Sequence, residues 1–265
     1  MDVEAIRARL TGTAFADVTW VAETGSTNAD LLAEARAGAP GGRVAVTDHQ
    51  TAGRGRRGRS WSDPPGSSLL VSVLFRPREV LGPEQAHLLT AAVALSAAEA
   101  VGEVAGVDLD LKWPNDLVVG DADDLRKVAG VLAESVVADA RLEAVVVGTG
   151  LNVNWPEAGS LDLPPGAAAV SQLAERPIDR GELLAAWLRR LDRWWAAIAG
   201  GRTDELLSAY RDRLSTLGQA VAIETPAGAV HGRAVDITAE GHLVIETATG
   251  RRTFAVGDVV HLRPA

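Results

Sequence analysis

The sequence predicts an α+β protein in two units, a mixed sheet flanked by helices over residues 1–216 and a small β-barrel over 217–265. Three observations carry that prediction. Short Val-rich stretches broken by Gly, Asp and Asn fill 108–153, and long helical patterns at 83–104 and 180–199 lie on either side of them. Past Leu217 the texture changes. Apolar and polar residues alternate there in short runs separated by Pro-Ala-Gly, Ala-Glu-Gly and Thr-Gly, the pattern of a small barrel.

Each element has its own signal. Ser26-Thr27-Asn28-Ala29-Asp30 ahead of LLAEARA and Gly38 reads as a helix with Ser or Thr capping its start and a glycine past its end. RVAVT at 43–47 reads as a strand, and SLLVSVLF at 68–75 as a second, buried one. Pro83 opens an Ala-rich helix running to about Val104, with proline in the tolerated first turn. The 108–153 stretch reads as an antiparallel meander. Helices follow at 180–199 and 203–215, and the first places Leu183, Trp187, Leu191 and Trp194 on one face, to be packed against a sheet.

Composition excludes several classes. Hydrophobic residues make up 47% and charged residues 23%, the balance of an ordinary globular protein. The net charge of −9 argues against a chain whose main work is coating nucleic acid or an anionic membrane. With no cysteine, disulfides, zinc-thiolate sites, iron–sulfur clusters and thiol catalysis are ruled out. MDVEAIRARL lacks the basic start and apolar core of a signal peptide, and the uncharged apolar run Leu88 to Ala98 is too short to cross a bilayer. A soluble cytoplasmic protein is expected.

Charge is unevenly placed. Of 26 basic residues two are lysine, Lys112 and Lys127, leaving 24 arginines. Arginine is a planar fork and lysine a compact point charge, so lysines retained against such a bias mark positions where arginine does not serve. Four arginines crowd into Gly53-Arg54-Gly55-Arg56-Arg57-Gly58-Arg59, followed by Ser60-Trp61; without them the rest of the chain stands at −13. The three glycines match a dinucleotide fingerprint in form. That motif needs an apolar helix directly after it, and Trp-Ser-Asp-Pro-Pro-Gly is a turn. A Gly-rich, Arg-rich loop is flexible, and its forks suit phosphate or carboxylate. The alternatives are a solvated basic loop or a nucleic-acid patch; one short loop on so acidic a body suits one small anion better.

Three further segments can carry chemistry. In Lys112-Trp113-Pro114-Asn115-Asp116 the Trp-Pro pair restricts the backbone and presents Asn and Asp at a fixed turn; Asn can read a base edge or ribose, and Asp can hold a metal that accompanies phosphates. In Lys127-Val128-Ala129-Gly130-Val131-Leu132-Ala133-Glu134 the apolar neighbours predict a buried ammonium, which must pair with a fixed acid or await an anionic ligand, and Gly130 leaves room for close approach, no role being read for Glu134. Gly148-Thr149-Gly150-Leu151-Asn152 puts two glycines at a strand end, for close approach or for a bulged hairpin. No GxxxxGK[ST], GxSxG or HExxH occurs, and the histidines at 49, 87, 231, 242 and 261 are scattered.

Together, Ser-Thr-Asn at 26–28, Gln50 with GRGRRGR at 53–59 and Trp61, KWPND at 112–116, KVAGVL at 127–132 and GTGLNVN at 148–154 resemble the biotin protein ligase family over most of residues 20–264. The resemblance implies a mixed domain related to the class II aminoacyl-tRNA synthetases followed by an SH3-like barrel. It implies ATP and biotin as substrates with Mg2+, and a biotin carboxyl carrier protein as acceptor. Ser26, Thr27, Asn28 and Gln50 would line the biotin pocket, with Gly130 and Gly148 leaving room for it. Arg54, Gly55 and Arg56 would belong to the loop ordering over biotin and its adenylate, Arg56 and Arg59 serving the phosphates. Trp61 would stack near adenine, Asn115 and Asn152 would hold the nucleotide, and Asp116 would assist with magnesium. Lys127 would reach the biotin carboxylate and the α-phosphate, making Lys127 and Arg56 the catalytic pair. About 25 residues precede Ser26, so no operator-DNA-binding domain is expected. A monomer or weak homodimer without membrane attachment is expected. The rivals are a lipoyl or octanoyl ligase of the same superfamily and a non-catalytic nucleic-acid-binding module.

Overall fold

The structure is a computed structural model and describes residues 1–77, 80–121, 124–139, 141–156, 166–225, 228–255 and 257–261. A seven-stranded sheet has the order β1-β2-β3-β7-β6-β5-β4. Its strands are β1 Asp17–Thr24, β2 Arg43–Gln50, β3 Ser68–Phe75, β4 Asp110–Lys112, β5 Asp116–Val119, β6 Arg126–Ala138 and β7 Arg141–Asn152. β1 runs parallel to β2 and every other pairing is antiparallel, so β4 to β7 form the expected meander.

Helices cover both faces. On one lie α3 His87–Ala105, α5 Arg180–Ala199 and α6 Thr203–Asp212; α1 Val3–Arg9 packs on α5 and β1, and the short α4 Val170–Ala174 on α3. On the other lies α2 Thr27–Arg36, whose Leu31, Leu32 and Ala35 meet Leu74, Ala144 and Val146. Ser26 occupies the position before α2, but its side chain makes no capping hydrogen bond there, contrary to the reading from sequence. Gly38 follows with φ +89°, a conformation that favours glycine. Leu183, Trp187, Leu191 and Trp194 are all buried, as their spacing predicts.

The segment Pro83–Ala105 corrects one expectation. Its 23 residues are long and apolar enough to cross a membrane by length and composition. It is a core helix: α3 is wedged between α5 and the sheet, with Leu88, Leu89, Ala92 and Leu95 fully covered. Counting uncharged residues alone misses the lone acids Glu99 and Glu103, which pair with Arg193 and Arg190.

The C-terminal strands β8 Ala220–Thr225, β9 Gly228–Ile237, β10 Leu243–Thr247, β11 Gly250–Phe254 and β12 Asp258–His261 form a five-stranded antiparallel sheet, order β11-β10-β9-β8-β12. Its apolar row, including Val221, Ile223, Ile237 and Ile245, joins the main core without a break. Two contacts pin it under the KWPND turn: the Trp113 backbone N–H donates to Thr216 Oγ1 at 3.0 Å, and the Trp113 indole N–H donates to the Gly241 carbonyl at 3.0 Å.

Candidate active site

Side chains alternate across a strand, and on β6 and β7 that alternation decides what a ligand meets. Gly130 pairs with Gly150 and Leu132 with Gly148, so three glycines clear one face of two adjacent strands. A Cβ on Gly148 would run into Asn28 Oδ1, and one on Gly150 into the Trp61 indole. One on Gly130 would lie 2.9 Å from Lys127 Nζ. The glycines therefore make floor space for Asn28, Trp61 and Lys127.

Above this floor opens a cavity of about 490 Å³. Every residue singled out from the sequence lines it: Ser26, Thr27, Asn28, Gln50, Arg54, Gly55, Arg56, Arg59, Trp61, Asn115, Asp116, Lys127, Gly130, Gly148 and Asn152. Five segments remote in sequence thus meet in one place. Lys112 also lines it. Gly150, one of the two glycines read as allowing close approach, lines it too, whereas the sequence reading missed Trp155, Ala167 and, from the C-terminal sheet, Glu224, Val259 and Val260. It missed Ser72 and Glu134 as well, which hold pocket residues from outside the lining. Ser72 offered a signal, a serine within a strand whose every residue is buried.

The cationic groups are held individually. Lys127 Nζ pairs with Asp116 Oδ1 at 2.7 Å and lies 5.5 Å from the centre of the Trp61 ring. Its side chain keeps 39% of its exposure, so the expected burial does not occur; the ammonium projects into the open cavity. Arg54 pairs with Glu134 at 2.9 Å, and the loop is closed on itself by a β-bridge between Arg54 and Ser60. Arg56 donates to Asn115 Oδ1 at 3.0 Å and to the Gly257 carbonyl at 3.2 Å, while Arg57 donates to the Glu224 carbonyl at 3.0 Å. The arginine loop therefore bridges the large sheet and the C-terminal sheet. Asn115 is itself anchored, donating to the Val131 carbonyl at 2.8 Å.

Three buried polar atoms of lining residues meet no partner at hydrogen-bond distance, Trp61 Nε1, Thr149 Oγ1 and Asn152 Oδ1, although the Trp61 indole N–H is turned toward the Asp63 carboxyl. Asn152 commits its amide nitrogen to the Ala168 carbonyl at 3.0 Å. A buried polar atom without a partner is costly, and a donor and an acceptor left over in one cavity fit a polar ligand. Just behind Trp61, burial raises the Asp63 carboxyl above the usual range, against the opposing pull of Ser68 and His49. Below the KWPND turn, burial drives the His87 imidazole down to about 4 and pushes the Tyr210 hydroxyl up.

The acids present do not build a metal cage. Among the described residues no group of three or more His, Cys, Asp or Glu side chains could hold an ion, and Asp116 is already paired with Lys127.

Comparison with known proteins agrees with this geometry. The Biotin/lipoate A/B protein ligase family matches residues 22–152, and the Biotin protein ligase C terminal domain matches residues 216–262. A biotin–[acetyl-CoA-carboxylase] ligase from Mycobacterium tuberculosis is 37% identical, the alignment covering 99% of this chain and 96% of that one. One from Paracoccus denitrificans is 32% identical, covering 90% and 98%. The solved biotin protein ligase from Aquifex aeolicus in complex with biotin and ATP has a TM-score of 0.77 at 27% identity, covering 94% of this chain and 99% of that one. The mixed sheet with flanking helices and the SH3-like C-terminal unit are thus the fold these proteins share, and the chain belongs to the biotin protein ligase family.

Proposed function

We propose that the protein joins biotin to ATP, giving biotinyl-5′-AMP and pyrophosphate, and then transfers the biotinyl group to a lysine of a biotin carboxyl carrier protein. In the first step a carboxylate oxygen of biotin attacks the α-phosphorus and pyrophosphate leaves. In the second the lysine amine attacks the acyl carbon and AMP leaves. The observation that carries this reading is the convergence of all five sequence segments on one cavity with Lys127 and Arg56 inside it.

The chemistry needs positioning more than a nucleophile. A carboxylate and a triphosphate must meet against their repulsion, and fixed cations lower that barrier most as charge grows on the α-phosphate. Lys127 begins paired with Asp116, so an entering anion exchanges one carboxylate partner for another and no bare ammonium has to be buried. Asp116, once released, would be free to hold a magnesium ion accompanying the triphosphate, which would supply further positive charge there. Arg56 and Arg59 serve the phosphates, Arg56 being held ready by Asn115. Trp61 and Asn152 offer a flat ring and a free acceptor to the adenine. The acid end belongs to Ser26, Thr27, Asn28, Gln50, Arg54, Gly55, Gly130 and Gly148, and the 53–61 loop shields the mixed anhydride from water. We assign residues 1–216 to catalysis and 217–265 to a C-terminal unit that steadies the loop. The same reading puts the enzyme in the cytoplasm as a monomer or weak homodimer, and its charge of −9 suits a ligase that does not grip operator DNA.

Exchange of labelled pyrophosphate into ATP, run with biotin, lipoate and octanoate, tests this. Exchange with biotin alone is expected. Exchange with lipoate or octanoate in place of biotin would move the protein to the neighbouring ligase class, and exchange with no acid would end the enzyme reading.

A further inference from the structure

Beneath the acid end of the cavity runs an unbroken series of hydrogen bonds. Gln50 Oε1 accepts from the Thr27 backbone N–H at 2.9 Å, while the Thr27 hydroxyl is left to donate to Ser72. The Thr27 and Ser72 hydroxyls lie 2.7 Å apart, and Ser72 donates to Asn28 Oδ1 at 2.6 Å. Asn28 Nδ2 donates to the Leu132 carbonyl at 3.2 Å and to Glu134 Oε2 at 2.9 Å. Arg54 Nη2 donates to that same Glu134 oxygen at 2.9 Å. The series starts at the end of β2 and finishes on the loop that β2 leads into, so it closes a ring around the pocket. Glu134 is where the ring crosses from the rigid sheet to the loop.

A carboxylate in this position is chemically awkward. The neighbouring cavity must accept a carboxylate and a triphosphate, and an extra negative charge on its rim opposes both. Glu134 is third in the row Gly130, Leu132, Glu134 that β6 turns toward the pocket, and its side chain is only 25% exposed. Its charge is answered by Arg54, and a single oxygen accepts two hydrogen bonds, one of them charge-assisted. Asn28 gives both amide hydrogens to the protein and receives one from Ser72, so it shapes the pocket and has no donor left for a ligand.

From this arrangement, and resting on the biotin-ligase reading above, we propose that Glu134 is a positioning residue for acid activation, its carboxylate holding Arg54 and the 53–61 loop closed over the bound acid. Without it the closed loop is less populated, and apparent affinity falls by the fraction lost. The adenylate is also exposed to water sooner.

The test compares Glu134→Gln, Glu134→Ala, Arg54→Ala and the double variant Glu134→Ala/Arg54→Ala with the wild-type chain. Glu134→Gln keeps an acceptor for Asn28 and removes only the charge that holds Arg54, so it decides the matter if the alanine variant folds poorly. The readouts are KM and kcat of biotin-dependent exchange, and the rate of AMP release without carrier protein. Both Glu134 variants should raise KM for biotin about tenfold and speed AMP release, with kcat within about twofold of wild type and an unchanged thermal midpoint for Glu134→Gln. The double variant should be no worse than Arg54→Ala. Wild-type KM and AMP release in Glu134→Gln, or additive effects in the double variant, would overturn the proposal. If the wild-type chain itself supports no biotin-dependent exchange, the proposed function falls and this inference with it; if it does and Glu134→Gln matches it, only the inference falls.

Discussion

Toward α3 and α5, strands β3, β6 and β7 present Leu69, Val71, Val73, Val131, Val145, Val147 and Leu151, all buried in the main core. Toward the cavity the same strands present Ser72, Gly130, Gly148, Gly150 and Asn152. The two faces differ in how they specify structure. On the core face the requirement is volume and hydrophobicity, which many side chains meet. On the cavity face each position has one named neighbour, and even one added methyl group collides with Asn28 or Trp61. Core-side damage should therefore be read in stability, and cavity-side damage in turnover with stability nearly intact.

The sharpest test on the core side is Trp187→Ala. The ring is 1% exposed and its indole N–H donates to Ser96 Oγ at 3.0 Å, so truncation leaves a large cavity and removes that bond, the Ser96 hydroxyl keeping its own bond to the Val93 carbonyl at 2.9 Å. A loss of about 3–5 kcal/mol in urea unfolding is expected, with biotin KM of the folded fraction unchanged. On the cavity side Lys127→Ala should lower biotin-dependent exchange by about 10²–10³-fold. Its unfolding free energy should shift by less than about 1 kcal/mol, because a half-exposed ion pair contributes little. Wild-type exchange in that variant would remove Lys127 from the chemistry and erase the contrast between the faces.

His87 is a titratable group packed beneath the KWPND turn, and it makes stability depend on pH. It sits at the start of α3 against Trp113 and Tyr210, with ring centres 6.2 and 6.3 Å away, and against Gly241 of the C-terminal unit; His242 and Arg56 add positive charge nearby. Folded, it stays neutral down to about pH 4; unfolded, it takes a proton near 6.5. Above 6.5 neither state is protonated. As pH falls from 6.5 toward 4 only the unfolded state gains the proton, so stability declines, by on the order of 3 kcal/mol over that window. His87→Phe should show a shallower decline across it, measured by urea midpoints at pH 7, 5.5 and 4.5. Equal slopes in the two proteins would mean the loss comes from elsewhere.

What could be read from sequence follows the same division. α3, α5 and the β4–β7 meander carry local signals, a proline just ahead of the helix, Leu and Trp at helical spacing, and Gly or Asp at strand ends, and local signals survive without tertiary context, although Pro83 opens a 3-10 turn, Pro83–Gln85, and α3 itself begins at His87. α1 and β1 went unread, although Asp2 caps α1 by accepting from the Ala5 N–H at 3.0 Å, because seven residues make a weak period and edge strand β1 buries only Val18. In the cavity, residues inside dense motifs were legible. Ser72 and Glu134 were not, since one lies within an apolar run and the other resembles any solvent-facing acid; only the pairing of Ser72 with Gly148 and Leu132 with Gly148 sets them beside Asn28. Lys127 was read as buried from its apolar neighbours. The register places it opposite Val118, beside the irregularity between Leu117 and Val118, where the cavity opens.

The smallest effects should divide the cavity face within itself. Gly148 and Gly150 are two residues apart on one strand and both crowded, but by different partners, Asn28 and Trp61, which the proposed function puts at the acid end and the nucleotide end. A methyl group on Gly148 pushes against an amide locked by Ser72, Leu132 and Glu134, and the displacement passes to the biotin pocket. A methyl group on Gly150 pushes against the Trp61 indole ring, and under the proposed function the displacement passes to the adenine. Gly148→Ala should therefore raise KM for biotin about tenfold with little change in KM for ATP, and Gly150→Ala should do the reverse, each near 1.4 kcal/mol of binding. Because the Trp61 ring also lies beside Lys127, Gly150→Ala should lower kcat somewhat as well, whereas Gly148→Ala should not. If both variants raise both constants equally, the glycine floor acts as one surface, and the division into an acid half and a nucleotide half is wrong.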